Sequence, residues 1–263
     1  MDKQYGGEQA ATSQAAPGAA SSDAALVGFR EACWGAVIVA AGRGTRMGTP
    51  ESKQFLLLRG KPVLVHTLEL FQRMDAIREI VLVTGAADAE RCRRWCGEYG
   101  LTKVAAIVEG GSERQHSVRI GLDSLSADWA LVHDGVRPLV SEAAVSACLA
   151  RAEETGAAVL AVPVKDTIKK VDAAGIIEST PDRSSLWAIQ TPQAFRRARL
   201  REAHERALAD GFLGTDDSMV VERLGDPVAV AEGEYTNIKI TTPEDLPTRN
   251  FFWSRGRGDD RDD

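Results

Sequence analysis

The chain has 263 residues, which fits one large α/β domain or two small ones, long enough to bury a core without disulfide staples. A formal net charge of -6 at pH 7 lacks the basic excess of a general nucleic-acid binder, but it leaves room for a local cationic pocket. No apolar run approaches the length of a membrane span, and the first residues, with Asp2, Lys3 and Glu8, hold no secretory-signal core.

In chain order, residues 1–33 are rich in Ala, Gly, Ser and Gln without periodicity and read as a disordered N-terminal extension. "GAVIVA" (35–40) is a short apolar run ahead of glycines, a buried strand. "PVLVHTLELFQRM" (62–74) reads as a helix with Pro62 at its first position and Leu64, Leu68 and Phe71 on one face. "EIVLVTG" (79–85) is a second buried strand. In the helix that follows, Cys92, Trp95, Cys96 and Tyr99 share a face, so these cysteines read as small buried hydrophobes. No Cys-x-x-Cys pair occurs among Cys33, Cys92, Cys96 and Cys148, and a reducing cytoplasm is the expected location.

"VAAIVEGG" (104–111) and "WALVHDG" (129–135) read as strands around a helix near 114–126. "SEAAVSACLARAEETG" is a helix between Ser141 as N-cap and Gly156 as C-cap, and "AAVLAVPV" (157–164) is the next strand. This alternation predicts a largely parallel sheet covered on both faces. The rhythm breaks at "DTIKKVDAAGIIEST", whose Asp172–Gly175 turn predicts a hairpin arm that caps a ligand or clasps another subunit. A helical pattern returns at 194–209 and again after "GTDDSM". The residues 255–263 read as a flexible tail.

The glycine turn after the first strand, "AAGRGTRMGTPESKQF", is not a dinucleotide fingerprint. Gly42 and Gly44 fit Gly-x-Gly-x-x-Gly, but Met47 takes the third position, and the second strand ends without an acidic residue for a ribose. The phosphate-loop pattern is absent too. What remains is a glycine turn with Arg43, Arg46 and Lys53 close by. That much positive charge suits a triphosphate whose charge shifts during reaction.

The segments "AAGRGTRMG", "KQF", "EGGSERQHSV", "VHDGVRP", "KDTIK", "DRSSLWAIQTPQAF", "TDDSMVVERLG" and "NIKITTPEDL" follow one another in the chain. Together they resemble the 2-C-methyl-D-erythritol 4-phosphate cytidylyltransferases of non-mevalonate isoprenoid biosynthesis, from about Ala36 to Leu246. The resemblance implies a three-layer α/β/α, Rossmann-like nucleotidyltransferase fold with a mostly parallel mixed sheet and a protruding hairpin arm (about 165–185) on a domain spanning 34–254. It implies attack of a substrate phosphate on the α-phosphorus of CTP, with Mg²⁺ or another divalent cation and no general base.

By matching position, the resemblance makes Arg46 and Lys53 stabilisers of the transition state, and Arg183 and Lys239 positioners of the incoming phosphate, assisted by Thr167 and Thr241. Ala40, Ala41, Gly111 and Ser117 would hold cytosine and ribose, with Gly42 and Gly44 forming the turn. Asp134 would sit near ribose and metal, with Gly135 and Arg137 following it in "HDGVRP". The hairpin would form a homodimer, so that Arg183 and Thr167 act in the neighbouring site. Thr215, in a segment that the family places beside the substrate, and Asp216 also read as the start of a helix, explained by capping alone. His204 reads as a core or flank histidine. His133 points away from Asp134 by strand alternation and is left out of the site.

Two positions depart from the family pattern: "HDGVRP" stands where "HDAARP" is familiar, and Ser112 stands where an acidic residue is common. No fused cyclodiphosphate synthase domain, which some relatives carry after the transferase, is expected in these 263 residues. Alternatives are a ribitol-5-phosphate cytidylyltransferase, a sugar-1-phosphate nucleotidyltransferase, a dehydrogenase, or a catalytically silent nucleotide-binding protein. The Ala40-Ala41-Gly42 run, the broken fingerprint and the retained Arg46, Lys53, Arg183 and Lys239 oppose the last three. Neither nucleic acid nor membrane is an expected partner.

Overall fold

The computed structural model of the chain describes residues 32–42, 51–241 and 245. The N-terminal extension through residue 31, the tail, and the turn residues Gly44 and Arg46 lie outside the described residues.

Strand β1 (Trp34–Ala40) leads through the glycine turn to a short antiparallel pair, β2 (Leu57–Leu58) and β3 (Lys61–Pro62), and then to α1 (Val63–Arg73). Pro62 is the residue before the helix, extended at φ -57 and ψ 139, not its first helical residue. The chain continues through β4 (Ile77–Thr84), α2 (Ala89–Glu98), β5 (Val104–Glu109), α3 (Arg114–Asp123) and β6 (Trp129–Asp134). Helix α4 (Glu142–Thr155) is capped as its sequence dictates. The Ser141 side chain accepts from the Ala144 N–H, and Gly156 closes the end with φ 90. Then follow β7 (Ala157–Pro163), β8 (Lys170–Val171), β9 (Ile177–Ser179), β10 (Trp187–Arg196), α5 (Arg197–Ala209), α6 (Asp217–Glu222) and β11 (Ala229–Glu232).

The main sheet has the order β11-β7-β10-β6-β1-β4-β5. The pairs β1–β4, β1–β6, β4–β5 and β11–β7 are parallel, and β10 runs antiparallel between β6 and β7. Strand alternation divides the core. Ala36, Ile38, Ile80 and Leu82 meet α1, α2 and α4 through Leu64, Phe71, Cys92 and Cys148. Val37, Val81, Val83 and Val132 meet α3, α5 and α6 through Val118, Leu200 and Val221. The result is three layers, α/β/α. All four cysteines are free thiols. Burial pushes Cys92 up to about 11 and Cys148 to about 12, as expected for packing residues. Among the described residues no helix is long and apolar enough to cross a membrane.

Two strands of the main sheet escaped the sequence pattern, as did the short pair β2–β3. The helix expected over 194–209 begins at Arg197, because 194–196 complete β10. Strand β10 reads as broken: Gln190-Thr191-Pro192 interrupts its register against β7 between Ile189 and Gln193. That interruption aims Gln190 and Thr191 at the mouth of the sheet. Strand β11 is four residues long, too short to show a periodicity of its own.

Candidate active site

A cavity of about 490 Å³ opens where β1 and β6 end, at the carboxyl edge of the parallel strands, where open α/β sheets bind ligands. Ala40, Ala41 and Gly42 form one wall, and Gly111 and Ser117 the facing one. The buried side chain of Gln54 ties the turn together, its Nε2 donating to the Ala40 carbonyl at 2.8 Å and the Gly42 carbonyl at 3.2 Å. The two walls approach so closely that a Cβ on Gly110 would stand 2.4 Å from the Ala41 Cβ, so only glycine fits there. Beside it the Gly111 N–H donates to Ser117 Oγ at 3.1 Å, and that hydroxyl donates to the Glu113 carbonyl at 3.1 Å. Ser117 therefore holds the loop in shape while lining the cavity. Lys53, in the single 3-10 turn Lys53–Phe55, lines the same cavity.

Asp134, at the end of β6, is buried among cations. Arg114 Nε donates to its Oδ1 at 3.1 Å, Lys239 Nζ reaches its Oδ2 at 2.8 Å, and Arg137 Nε stands 3.7 Å from Oδ2. Burial alone would raise this carboxyl, but Arg114, Lys239 and Arg137 outweigh it and hold it well below the usual carboxylate range. Burial likewise lowers the Arg114 guanidinium, but Asp217 and Asp134 overcome it and raise it above its ordinary value. Arg137 falls below the ordinary arginine value because burial prevails over its more distant contact with Asp134. Both arginines stay charged near neutrality.

A second, polar cavity of about 270 Å³ lies against the first, lined by Gln190, Thr191, Thr215 and Asp216. The two share one wall: Arg114, Asp134 and Lys239 line both. Lys239 comes from the C-terminal segment, which is seated by Ile240 N–H donating to the Val136 carbonyl at 2.9 Å and Arg137 Nη1 donating to the Asn237 carbonyl at 2.7 Å.

His133 lines neither cavity, as its strand position indicated, yet it supports the second. Burial pushes its ring down to about 4, so it is neutral at pH 7. The Thr191 hydroxyl accepts from the Asp134 N–H at 3.1 Å and so donates to His133 Nδ1 at 3.1 Å, which leaves Nε2–H to donate to the Arg137 carbonyl at 3.1 Å. One neutral histidine thus fixes both Thr191 and the turn that carries Arg137.

The structure brings Ala40, Ala41, Gly42, Lys53, Gly111, Ser117, Asp134 and Lys239 together at the first cavity, and Arg137 and Thr215 at the second. It does not bring Arg183 or Thr167 to either. Both are exposed on the arm, where Arg183 Nη1 donates to the Lys165 carbonyl at 3.0 Å. Gly135 packs behind the site, its N–H and carbonyl engaged by Val39 and Thr67. The Thr241 N–H and hydroxyl both donate to Asp245 Oδ2. Asp216, not Thr215, caps α6, accepting from the Met219 N–H at 2.9 Å.

Sequence reasoning missed Gln54, Arg114, Gln190 and Asp217. Arg114 and Asp217 sit inside quoted motifs, which was the available signal, but nothing local shows that they meet. Among the described residues no three His, Cys, Asp or Glu side chains cluster as a metal cage. A cation held by one carboxylate and by substrate phosphates needs no such cage; Asp134 is the carboxylate at the shared wall, and both of its oxygens already face Arg114 and Lys239.

The family model for IspD, 2-C-methyl-D-erythritol 4-phosphate cytidylyltransferase, matches residues 35–255. A relative of that name from Geobacillus kaustophilus is 50% identical over 212 residues, 80% of this chain and 92% of its own length. The crystal structure of 4-diphosphocytidyl-2C-methyl-D-erythritol synthase from Anaerococcus prevotii superposes with a TM-score of 0.76 at 33% identity, over 86% of this chain and 100% of that one. The 2-C-methyl-D-erythritol 4-phosphate cytidylyltransferase from Thermus thermophilus does so with a TM-score of 0.69 at 34% identity, over 82% and 97%. With this fold, these motifs and this degree of identity, the chain belongs to the 2-C-methyl-D-erythritol 4-phosphate cytidylyltransferase family.

Proposed function

We propose that this chain transfers the cytidylyl group of CTP to 2-C-methyl-D-erythritol 4-phosphate, and that the transfer takes place at the shared wall of the two cavities. The observation that carries this reading is that wall: one cavity lined by Ala40–Gly42 at the start of the glycine turn, one polar cavity, and cations between them. A phosphate oxygen of the acceptor forms a bond to the α-phosphorus of CTP as the bond from that phosphorus to the β-phosphate oxygen breaks, and pyrophosphate leaves with the electron pair. The acceptor phosphate is already anionic near pH 7, so alignment and charge neutralisation suffice.

In this reading Ala40, Ala41, Gly42, Gly44, Gly111 and Ser117 hold base, ribose and triphosphate, and a pyrimidine-sized space rejects purines. Lys53 and Arg46 load positive charge on the triphosphate. Lys239, with Arg137, Thr215 and Thr241, receives the acceptor phosphate. Asp134 is the carboxylate that would hold Mg²⁺ or another divalent cation, which supplies charge neutralisation on the triphosphate when bound. Arg183 and Thr167 serve the active site of a second copy, joined through the arm as a homodimer. Support for the dimer is the apolar surface of the arm, where Ile176 is 65% and Ile177 58% exposed. The four free thiols support a cytoplasmic location.

The test is pyrophosphate release with CTP and Mg²⁺, comparing methylerythritol 4-phosphate with ribitol 5-phosphate. Release with the first is expected. Release with ribitol 5-phosphate alone would keep the chemistry and overturn the acceptor, and silence with both would overturn the reading.

A further inference from the structure

Asp217 is 1% exposed, at the first turn of α6, and lines neither cavity. Its N–H donates to Gln193 Oε1 at 3.0 Å. Its carboxylate faces His204 Nε2 at 3.4 Å and Arg114 Nη2 at 2.8 Å. A carboxylate so deeply buried must be paired, and Arg114 supplies the nearest cation. The same guanidinium uses its Nε on Asp134 Oδ1 at 3.1 Å. It is therefore stretched between a carboxylate at the reaction junction and one behind it.

A guanidinium facing a single carboxylate tends to take both oxygens in a parallel, bidentate pair. Here Nη2 stands instead against Asp217 Oδ2, an ion pair at 2.8 Å. Arg114 Nε hydrogen-bonds Oδ1 of Asp134, and Oδ2 faces Lys239 Nζ at 2.8 Å, with Arg137 Nε farther off at 3.7 Å. Arg114 thus holds one oxygen of Asp134 and Lys239, with the more distant Arg137, faces the other, while Asp217, which lines neither cavity, engages the far edge of Arg114.

We propose that Asp217 is a positioning residue: by holding one edge of Arg114 it keeps Arg114 from closing on Asp134, and so leaves Asp134 Oδ2 to aim Lys239 at the junction of the two cavities. This rests on the reading of that junction as the site of cytidylyl transfer.

Asp217→Asn keeps the shape and removes the charge that holds Nη2. Its kcat for pyrophosphate release should fall at least tenfold, while KM for CTP changes less than threefold, because the glycine turn and Lys53 are untouched. Arg114→Lys keeps a positive charge but replaces the fork by a point that cannot span both carboxylates, so it should lose kcat to a similar extent. The double variant should lose little more than the worse single one, since both break one path. A folded Asp217→Asn protein with a lowered Tm but wild-type kcat would show a structural role only and overturn the proposal. If Asp217→Asn does not fold, Arg114→Lys decides: folded protein with kcat within twofold of wild type overturns it. A wild-type protein that releases no pyrophosphate overturns the functional reading and takes this proposal with it.

Discussion

His133 shows how one residue can serve the site without touching a substrate. Its ring is buried against Phe71, with ring centroids 5.1 Å apart, and burial pushes its pKa from the ordinary 6.5 down to about 4. Between those values the unfolded chain binds a proton here that the folded chain refuses. The stabilisation is complete above pH 6.5 and is lost as pH falls toward 4, an effect of about 3 kcal/mol at most. Asp134 and Asp217, both held below their ordinary 3.8, add their own loss only at lower pH. Denaturant unfolding at pH 7.5, 5.5 and 4.5 should show falling stability in the wild type and a flatter dependence in His133→Gln. An equal slope in both would remove His133 as the cause. Lys53 makes the opposite case, a residue whose value lies in the reaction. Half-buried in a single 3-10 turn, it lines the cavity and packs no core. Lys53→Ala should therefore lower kcat by about a hundredfold or more, the size of a lost charge-stabilising donor, with Tm little changed. An unchanged kcat would refute its assignment.

Among the elements, the hairpin arm is the one whose structure does not explain itself within one chain. Strands β8 and β9 pair only through Lys170–Ser179 and Val171–Ile177, and a hairpin that short is marginal alone in water. Val171 and Ile177 face solvent across that pair, 52% and 58% exposed. A second copy of the arm would cover them. Ile177→Asp should then shift the protein from dimer to monomer in sedimentation velocity and lower activity with it, since Arg183 and Thr167 would lose their partner site. A wild-type protein that sediments as a monomer and is fully active would sink the dimer reading. Legibility in the sequence follows from the same physics. The apolar stretches of β1, β4 (Ile80–Val83), β6 (Trp129–Val132) and β7 are buried on both faces and read as apolar runs, and α4 announces itself through Ser141 and Gly156. Strand β10 was hidden because its exposed start (Trp187–Ile189) and its buried end (Gln193–Phe195) are separated by Gln190-Thr191-Pro192, and a proline argues against a central strand. Arg114 and Asp217 were hidden for another reason. Asp217, in the first turn of a helix, reads as a solvated dipole partner, and Arg114, at a helix start, as a solvated surface charge; only the tertiary fold brings them together.

At the scale of the whole molecule, the cleft is assembled from chain segments far apart in sequence. The turn after β1, the loop before α3, the end of β6 and the segment carrying Lys239 all converge on it. The last of these crosses on polar bonds: the buried Asn237 Nδ2 donates to the Thr191 carbonyl at 2.9 Å and to Gln190 Oε1 at 3.0 Å. A ligand that touches every wall binds only the folded assembly, so its binding energy adds to global stability. At a free concentration a hundredfold above Kd, that addition is about 2.7 kcal/mol. In a domain of this size each kcal/mol moves Tm by about 2–4 °C, so saturating CTP should raise Tm by roughly 5–10 °C. GTP at the same concentration should move it far less if the space between the Ala40–Gly42 wall and the Gly110–Gly111 loop is the pyrimidine pocket proposed above. Equal shifts with CTP and GTP would refute a pyrimidine pocket. No shift with CTP, in protein shown by calorimetry to unfold cooperatively, would mean that the nucleotide does not bind this cleft and that the shared wall is not where the transfer occurs.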